Sequence, residues 1–453
     1  MRWLVVLAIA LGAAVPAVAL SSASAPNTDW GRFGYDTARH NVSPDTTINA
    51  QNASKLVRRQ VKLDGTVDSS PIYVRGMLIV TTTYGKTEAL NSTTGKVIWR
   101  FTPPAYSRLA GSAQITTSTP VVSTDRTAVY AAASDGRIRK LRLTDGKVLW
   151  TTTITRDPTH EKITSSLNVS RGLVIATTGG YIGDAPPYQG HVVTMAESNG
   201  RIAHVWNSLC SDRHELIVPS SCKSSDSAIW SRNGAAVDPA NGDLVVATGN
   251  APFNGSTDWG DSVLVLSPDA STLLRHWTPT DQAQLNVSDL DLGSTSPALL
   301  AGGYAVQGGK DSKLRLLQLH SLPGVNAKTG GELQTVPTPG GLFSEPAIWR
   351  GKWVFLSSGG GTAAWLLQGG KLHSVWSNSN SGTSPVIAGN LLYVATSGAL
   401  HVYVPTSGKE VATLPMGNLH WQSPIVVGGS VFVAEGNAND HATTGVLDIY
   451  HLP

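Results

Sequence analysis

A short sequence pattern recurs eight times along the 453-residue chain, and this repetition constrains the fold more than any single residue does. Each copy opens near a Ser-Pro pair or its equivalent and closes near Gly-Lys-Val-x-Trp or a shorter version. The first copy runs from Ser70-Pro71 to Gly95–Trp99, and the second runs from Thr119-Pro120 to Gly146–Trp150. The period is about fifty residues, which is typical of repeat architectures.

Six weaker copies follow in the same order. They open at Thr164, Trp230, Ser296-Pro297, Glu345-Pro346, Ser384-Pro385 and Ser423-Pro424. Three of them close at a tryptophan, namely Trp206, Trp277 and Trp376. Short apolar runs rich in Val, Ile, Leu and Tyr alternate with Gly, Asn, Asp and Ser turn clusters, and no segment has a convincing helical period.

Repeats of this length with four short strands each are typical of propeller blades. The eight copies therefore predict an all-β fold, an eight-bladed β-propeller of four-stranded antiparallel blades. One such sheet cannot bury both faces alone, but stacking it between two neighbours does. We expect the recurring tryptophans to act as docking motifs between adjacent sheets rather than as ligand contacts.

The ring also has a predicted closure. The last repeat ends near residues 447–450 without its outermost strand, whereas an extra strand pattern at 56–63 precedes the first repeat. We expect this N-terminal strand to complete the last blade, which removes an exposed sheet edge.

The first 25 residues predict a secretory signal peptide. Arg2 precedes an apolar stretch at 4–19, and small residues follow at 17–25. The stretch is too short for a membrane span, and it is followed by a small-residue cleavage zone. We therefore expect one propeller domain over residues 26–453, secreted or periplasmic, with no membrane span after cleavage.

Charge and cysteine content narrow the function classes. Only 14% of residues are charged, and the net charge of +3 is spread without a basic run, which argues against a nucleic-acid partner. Cys210 and Cys222, the two cysteines of the chain, lie in one insertion after the third blade. In an oxidising compartment we expect them to form a disulfide that orders this insertion.

Polar residues are concentrated in the connections of the third to fifth blades. These connections include 181–184, 228–231, 247–250, 254–261, 289–293 and 308–311. Loops on one face of a propeller converge on its central axis, so we expect these side chains to meet there.

Several of these segments resemble a known family. Residues 29–36 with Asn41, the tryptophan-docked blades, and the segments 237–239, 242–250 and 309–311 resemble pyrroloquinoline quinone (PQQ)-dependent alcohol dehydrogenases, nearest the polyvinyl alcohol dehydrogenase-like branch. The repeats are shared with non-catalytic propellers such as the outer-membrane assembly propeller, whereas the motifs of the fourth and fifth blades are more specific. The resemblance implies PQQ on the propeller axis, a calcium ion, an Asp base and a basic residue beside the quinone.

Matched by position, the resemblance gives roles to individual residues. Asn250 stands at the amide-oxygen calcium ligand and contributes to cofactor binding. Asp289 stands at the catalytic base and also among the calcium ligands, with Asp291 as the alternative base because the alignment is loose by two residues. Lys310 matches the basic residue at the quinone, with a catalytic and a cofactor-binding role, and Trp230 matches the tryptophan on which the quinone lies.

The third blade departs from the family pattern. Family members usually place a Glu there as a calcium ligand, whereas residues 177–191 contain none. Asp184 is the substitute ligand if its loop bends inward. The adjacent-cysteine disulfide and the Cys-x-x-Cys-His haem site of many members are also missing, so electrons would leave to a separate acceptor of the cytochrome or dye type.

Two functions remain open. Amide and carboxylate oxygens suit calcium, a carboxylate can take an alcohol proton, and an ammonium stabilises negative charge, which together suit oxidation of a small alcohol or polyol. Taken singly, the same residues also suit turns, loop capping and core packing, as expected for a non-catalytic propeller that binds a protein partner. An axial cluster of Asp184, Asn250 and Asp289 favours the enzyme, and an Asp184 that points to solvent favours the scaffold.

Overall fold

The computed structural model describes Met1 and residues 29–453, which form eight four-stranded antiparallel sheets. The predicted signal peptide therefore lies outside the described residues, apart from Met1. The all-β, eight-bladed propeller predicted from the repeats is confirmed. In the described part of the chain, neither α-helix is long and apolar enough to cross a membrane.

The bounds of the elements follow the repeats. The strands are β1 (Val57–Leu63), β2 (Ile72–Val74), β3 (Met77–Thr81), β4 (Thr87–Asn91), β5 (Val97–Phe101), β6 (Val121–Val122), β7 (Ala128–Ala133), β8 (Arg137–Arg142), β9 (Val148–Thr153), β10 (Asn168–Ser170), β11 (Leu173–Thr177), β12 (His191–Ala196), β13 (Ile202–Asn207), β14 (Ala236–Val237), β15 (Leu244–Ala247), β16 (Val263–Leu266), β17 (Leu273–Trp277), β18 (Ala298–Leu299), β19 (Tyr304–Gln307), β20 (Lys313–Gln318), β21 (Gln334–Pro337), β22 (Ala347–Trp349), β23 (Trp353–Ser358), β24 (Gly361–Gln368), β25 (Lys371–Asn378), β26 (Val386–Ala388), β27 (Leu391–Thr396), β28 (Ala399–Tyr403), β29 (Glu410–Pro415), β30 (Ile425–Val427), β31 (Ser430–Glu435) and β32 (Gly445–His451). The helices are α1 (Tyr106–Leu109) and α2 (Gln282–Val287), with short 3-10 turns at Ala53–Lys55, Pro219–Ser221, Leu292–Ser294, Ala301–Gly303, Leu319–Ser321 and Ala438–Asp440.

Each blade uses four consecutive strands except the eighth. Blades one to seven are β2–β5, β6–β9, β10–β13, β14–β17, β18–β21, β22–β25 and β26–β29. Since the strands alternate in direction, the connections between blades and those between the second and third strands of a blade emerge on one face. We call this the loop face.

The N-terminal strand closes the ring as predicted. β1 pairs antiparallel with β32, from Val57 opposite His451 to Leu63 opposite Gly445, and so completes blade eight. Arg58 on β1 donates from Nε to Oδ1 of the buried Asp448 on β32 at 2.9 Å. The hydrogen bonds and this ion pair together join the two ends of the propeller.

Tryptophan docking between blades is confirmed in detail. Trp99 of blade one donates its indole N–H to the backbone oxygen of Leu143 in blade two at 2.8 Å. Its ring lies against Gly146, where an added Cβ would come within 2.5 Å of the indole. The same arrangement joins Trp150 to Gly200 in the next blade. Gly146 of the second Gly-Lys-Val-x-Trp pattern and the equivalent Gly200 are therefore the surfaces that receive the tryptophan of the preceding blade, whereas Gly95 of the first pattern faces Val61 of β1.

An N-terminal segment, residues 30–45, runs round the face opposite the loop face; we call it the N-terminal belt. Its backbone oxygens accept hydrogen bonds from the first strands of several blades: Tyr73 N to Trp30 O, Val122 N to Gly31 O, Val237 N to Thr37 O, Ile348 N to His40 O and Ile387 N to Asn41 O, at 2.8 to 2.9 Å. These first strands form the inner edges of the sheets. The belt pairs N–H groups that would otherwise be left open on those edges.

The hub of the ring contains buried charged side chains rather than hydrocarbon alone. Arg39, Asp68, Lys162, Arg232 and Glu345 are all buried, and Arg232 Nη2 lies 3.8 Å from Asp68 Oδ1. Arg39, from the belt, donates to the backbone oxygens of Phe33 and Leu167 at 2.6 and 2.9 Å. Burial raises the pKa of Glu345 to about 7, although it accepts hydrogen bonds from Ser296 N and Thr295 Oγ1.

The predicted disulfide between Cys210 and Cys222 is present. The insertion that contains it packs against a polar loop of blade four. Ser211 N donates to Thr257 O at 3.0 Å, and the indole N–H of Trp259 donates to Ser211 Oγ at 2.9 Å. The insertion therefore braces a loop that leads to the loop face.

Replacing Gly146 tests the docking geometry. Gly146→Ala places a methyl group against Trp99 at a left-handed backbone, φ +70°. Left-handed strain costs about 1–2 kcal/mol and overpacking about 1–3 kcal/mol more. Gly76→Ala is the matched control, since φ is +79° but an added Cβ would meet nothing within 4 Å. Urea unfolding is expected to show a larger loss for Gly146→Ala, and equal losses would contradict the docking role.

Lys162 makes stability depend on pH. Burial, reinforced by repulsion from Arg232, lowers its pKa from 10.5 to about 7. Between these values the unfolded chain binds the extra proton, so stability rises with pH there. In urea unfolding, the free energy of unfolding of the wild type is expected to be higher at pH 9.5 than at pH 7. Lys162→Met is expected to lose this difference, whereas Lys352→Met, at an exposed position, retains it. Parallel profiles for the wild type and Lys162→Met would disprove the assignment.

Candidate functional site

Three of the predicted site residues form one ion-pair cluster on the loop face. Asp289 and Asp291 lie on the connection between β17 and β18, and Lys310 lies between β19 and β20. The Lys310 Nζ lies 2.8 Å from Asp289 Oδ1 and 2.6 Å from Asp291 Oδ2. The backbone N–H of Lys310 also donates to the backbone carbonyl oxygen of Asp291 at 3.0 Å. Two loops from neighbouring blades are thus held together by one ammonium group.

Asn250 joins this cluster from the connection after β15. Its backbone N–H donates to Asp291 Oδ1 at 2.7 Å, and its side-chain amide donates to Asp289 Oδ1 at 2.9 Å. The preceding Gly249 permits this approach, because an added Cβ would lie 2.2 Å from Asp291 Oδ1. Asn250 Oδ1 is buried and has no hydrogen-bond partner among the described residues. An amide oxygen is therefore left available for a ligand.

Trp230 lies beside the cluster in an aromatic group. The Lys310 Nζ lies 5.7 Å from the centroid of the Trp230 ring. Trp230 also contacts Phe343 and Trp421, with ring centroids 6.2 and 5.9 Å away. We call Trp230, Phe343 and Trp421 the aromatic trio. Sequence reasoning assigned Trp230 to the quinone site and missed Phe343.

The two aspartates differ in how much of each carboxylate is free. Asp291 is 12% exposed, and its oxygens are occupied by Asn250 N and Lys310. Asp289 is 68% exposed, and both contacts fall on Oδ1. Burial alone would lower the pKa of Lys310, but attraction to Asp291 and its hydrogen bonds to both aspartates raise it. Lys310 therefore stays protonated beside an accessible carboxylate oxygen.

Asp184, the predicted substitute calcium ligand, lies at the rim. It is exposed, and its Oδ1 accepts a hydrogen bond from the Tyr188 hydroxyl at 3.0 Å. Partial desolvation and, to a smaller extent, repulsion from Asp291 raise the pKa of Asp184. The charge of the cluster therefore acts on Asp184. No hydrogen bond joins it to the other site residues in the described part of the chain. Of the six predicted residues, the structure brings five together and leaves Asp184 at the edge.

The expected metal ligands do not form a compact acidic set. Across residues 29–453, no group of three or more His, Cys, Asp or Glu residues is arranged to hold a metal ion. The oxygens nearest to such a role are Asn250 Oδ1, which lacks a partner, and the free Oδ2 of Asp289. The protein by itself thus supplies a partial ligand set.

Two further carboxylates were not singled out from the sequence. Burial, with repulsion from Asp184 and Asp291, raises the pKa of Asp226. Asp261 lies beneath the cluster and accepts from Leu292 N at 3.1 Å; burial raises its pKa to about 8. The position of Asp261 in the polar segment 254–261 was the signal available, but its burial was not predictable from that segment.

Comparison with known proteins identifies the same architecture. The family model described as outer membrane protein assembly factor BamB matches residues 17–248. The quinohemoprotein alcohol dehydrogenase ADH IIB of Pseudomonas putida is 23% identical over 315 residues, which cover 62% of this chain and 45% of that protein. The chain therefore spans less than half the length of this curated relative.

Two solved structures superimpose on nearly all of the chain. The quinohemoprotein alcohol dehydrogenase from Comamonas testosteroni has a TM-score of 0.71 at 18% identity and covers 94% of this chain and 81% of its own. A europium-containing methanol dehydrogenase has a TM-score of 0.72 at 15% identity and covers 94% and 98%. At these identities the likeness establishes the fold.

Asp261→Asn tests the buried carboxylate beneath the cluster. The folded state keeps its proton up to about pH 8, whereas the unfolded chain releases it near 3.8, so wild-type stability falls as pH rises between these values. Relative to the wild type, Asp261→Asn is expected to gain stability between pH 6 and 9 in urea unfolding. Asp258→Asn, in the same loop, serves as the control. If the difference in unfolding free energy between Asp261→Asn and the wild type does not change across this range, Asp261 is not protonated in the folded state.

Proposed function

We propose that this chain, which belongs to the propeller family whose model is described as outer membrane protein assembly factor BamB, is a PQQ-dependent alcohol dehydrogenase. The observation that carries the proposal is the cluster in which Lys310 binds Asp289 and Asp291 beside the Trp230 ring. A base, a fixed positive charge and a flat aromatic surface are thereby gathered at one mouth of the ring. A purely structural loop does not need all three together.

The residues fit a planar, negatively charged cofactor. Trp230 would support the quinone ring, and Lys310 and the Asn250 amide would bind its oxygens. The buried Arg232, whose guanidinium lies 4.4 Å from the centroid of the Trp421 ring, adds positive charge in the hub nearby. When bound, PQQ supplies a two-electron acceptor for the hydride of the alcohol carbon.

We propose calcium as the accompanying ion. Asn250 Oδ1 and Asp289 are the protein oxygens that would hold it, with the remaining ligands from the cofactor and water. The partnerless amide oxygen supports this role, because a buried acceptor without a partner costs free energy unless a ligand satisfies it. Asp184 would contribute long-range negative charge rather than a direct bond.

The three charged residues would divide the work on the substrate. Asp289, with a free and accessible oxygen, would accept the proton of the alcohol hydroxyl. Lys310, whose Nζ lies 2.8 Å from Asp289 Oδ1, would hold Asp289 in place and stabilise negative charge on the reduced side of the reaction. Asp291, whose oxygens are both occupied, would position Lys310 and Asn250.

The remaining features of the proposal concern location and electron flow. The segment at 1–25 reads as a secretory signal, so the protein would act in the periplasm or outside the cell. The chain has two cysteines, and both are in the disulfide, so it has no haem-attachment motif of its own. A small alcohol or polyol would be the substrate, and a cytochrome-type or dye-like acceptor would receive the electrons.

A non-catalytic scaffold is the second candidate. The matching family model has an assembly-factor description, and Asp184 lies at the rim rather than in the axial cluster. Both observations favour a propeller that binds a protein partner on its loop face. This candidate predicts that the protein retains no quinone.

Cofactor binding and turnover separate these candidates. The purified protein is titrated with PQQ with and without calcium, and quinone absorbance retained after desalting is measured. Turnover of ethanol with an artificial dye is then followed. Asp289→Asn is expected to retain PQQ but lose about a hundredfold or more in kcat, because a general base contributes about 10²–10⁴.

The matched control is Asp281→Asn. Asp281 lies on the same connection between blades and also pairs with a lysine, Lys313, at 2.8 Å, but it is outside the cluster. Its substitution should leave turnover unchanged. Failure of the wild type to retain PQQ would reject the enzyme in favour of the scaffold, and full activity of Asp289→Asn would reject Asp289 as the base.

A further inference from the structure

A cavity opens on the loop face beside the aromatic trio. It has a volume of about 350 Å³, lies between the loops of blades six, seven and eight, and includes Phe343 and Trp421 in its wall. Small-ligand sites occupy about 300–1,000 Å³, so this cavity suits a compact ligand. It adjoins the cluster at Lys310 through Trp230, which contacts both aromatic residues.

The cavity wall combines apolar surface with hydroxyl groups. Its lining contains no Lys, Arg, Asp or Glu, and its hydroxyl groups are those of Ser344, Ser357, Ser358, Ser381, Thr383, Thr396 and Ser397. The rings of Phe343 and Trp421 are stacked in the wall, with centroids 6.0 Å apart and 9° between their planes. Aromatic surface with neutral hydrogen-bonding groups suits a neutral hydroxylated ligand, whereas an anionic quinone needs cations.

His420 has a fixed orientation at this cavity. Its Nδ1 lies 2.6 Å from Oδ2 of Asp68, which is fully buried and also accepts from Ala438 N at 3.0 Å. Burial alone would raise the pKa of Asp68, but attraction to Arg232 and the bond to His420 lower it, so the carboxylate is ionised. An ionised acceptor at Nδ1 holds the imidazole in place and leaves Nε2 as its free nitrogen.

Several hydrogen-bonding atoms of the wall are not engaged elsewhere. Four atoms of the wall make no hydrogen bond to protein atoms within residues 29–453: His420 Nε2, Trp421 Nε1, Ser381 Oγ and Thr396 Oγ1. None of the four is fully buried. They combine donors and acceptors. A hydroxyl group, which is both donor and acceptor, matches such a set better than a carboxylate does.

We propose that this cavity binds a neutral polyol, with His420 Nε2 and Thr396 Oγ1 hydrogen-bonded to its hydroxyl groups and Trp421 packed against its carbon chain. Binding of the polyol does not depend on the proposed function, but its role as the substrate rests on it. As the substrate, the polyol would place one hydroxyl at Asp289 and the others in the cavity. The enzyme would then prefer polyols over monofunctional alcohols.

Binding by the cofactor-free protein tests this assignment. Calorimetric titrations compare three four-carbon compounds: erythritol, butan-1-ol and succinate. Erythritol is expected to bind at least tenfold more tightly than the other two. His420→Phe and Thr396→Val are expected to weaken erythritol binding about tenfold each. Thr396→Val nearly preserves shape, so it remains informative if His420→Phe disturbs Asp68.

Two control variants locate the effect. His373→Phe changes an exposed histidine on β25, away from the cavity, and Asp281→Asn changes the ion pair with Lys313, which lies outside the cluster; neither should alter erythritol binding. Tighter binding of succinate, equal binding of butan-1-ol, or unchanged erythritol binding by both cavity variants would overturn the inference. Erythritol binding without PQQ retention would refute the proposed enzyme alone, and PQQ-dependent turnover without erythritol binding would refute the polyol site alone.

Discussion

The antiparallel pairing of β1 with β32 is the interaction on which the rest of the structure depends. It joins residues nearly four hundred positions apart and turns a row of blades into a ring. In the closed ring Trp230, which precedes blade four, contacts Trp421, which precedes blade eight on the other side of the hub, with ring centroids 5.9 Å apart. The chemistry of the loop face is thus a consequence of ring closure.

Ring closure also creates a hub that must be filled. Hydrocarbon fills the spaces between blades, where tryptophans dock on glycines, but the hub contains Asp68, Lys162, Arg232 and Glu345. Buried charges are costly unless they are paired. Arg232 Nη2 and Asp68 Oδ1 form an ion pair at 3.8 Å, beyond hydrogen-bonding distance, and Arg232 Nε has no hydrogen-bond partner among the described residues. A propeller selected for stability alone would not be expected to retain such groups. Their presence favours a hub that binds something.

The features that could be predicted are those that correspond to a repeated pattern in the sequence or to a motif of the resembled family. The Ser-Pro and Gly-Lys-Val-x-Trp repeats predicted the blades, because the glycine and tryptophan each have a fixed packing role. Matched motifs predicted that Asn250, Asp289, Asp291 and Lys310 would meet. The N-terminal belt was not predicted, because it binds the inner strands through backbone groups that any sequence possesses. The rim position of Asp184 was also not predictable, since a loop's path depends on contacts such as the one with Tyr188.

A crystal structure after soaking with PQQ and calcium tests whether the ion-pair cluster and Trp230 form a quinone site. Planar density is expected against the Trp230 ring, with Lys310 Nζ and Asn250 Oδ1 turned toward it or its ion. Density confined to another surface, with Lys310 still bound only by Asp289 and Asp291 and the aromatic trio unchanged, would contradict this expectation.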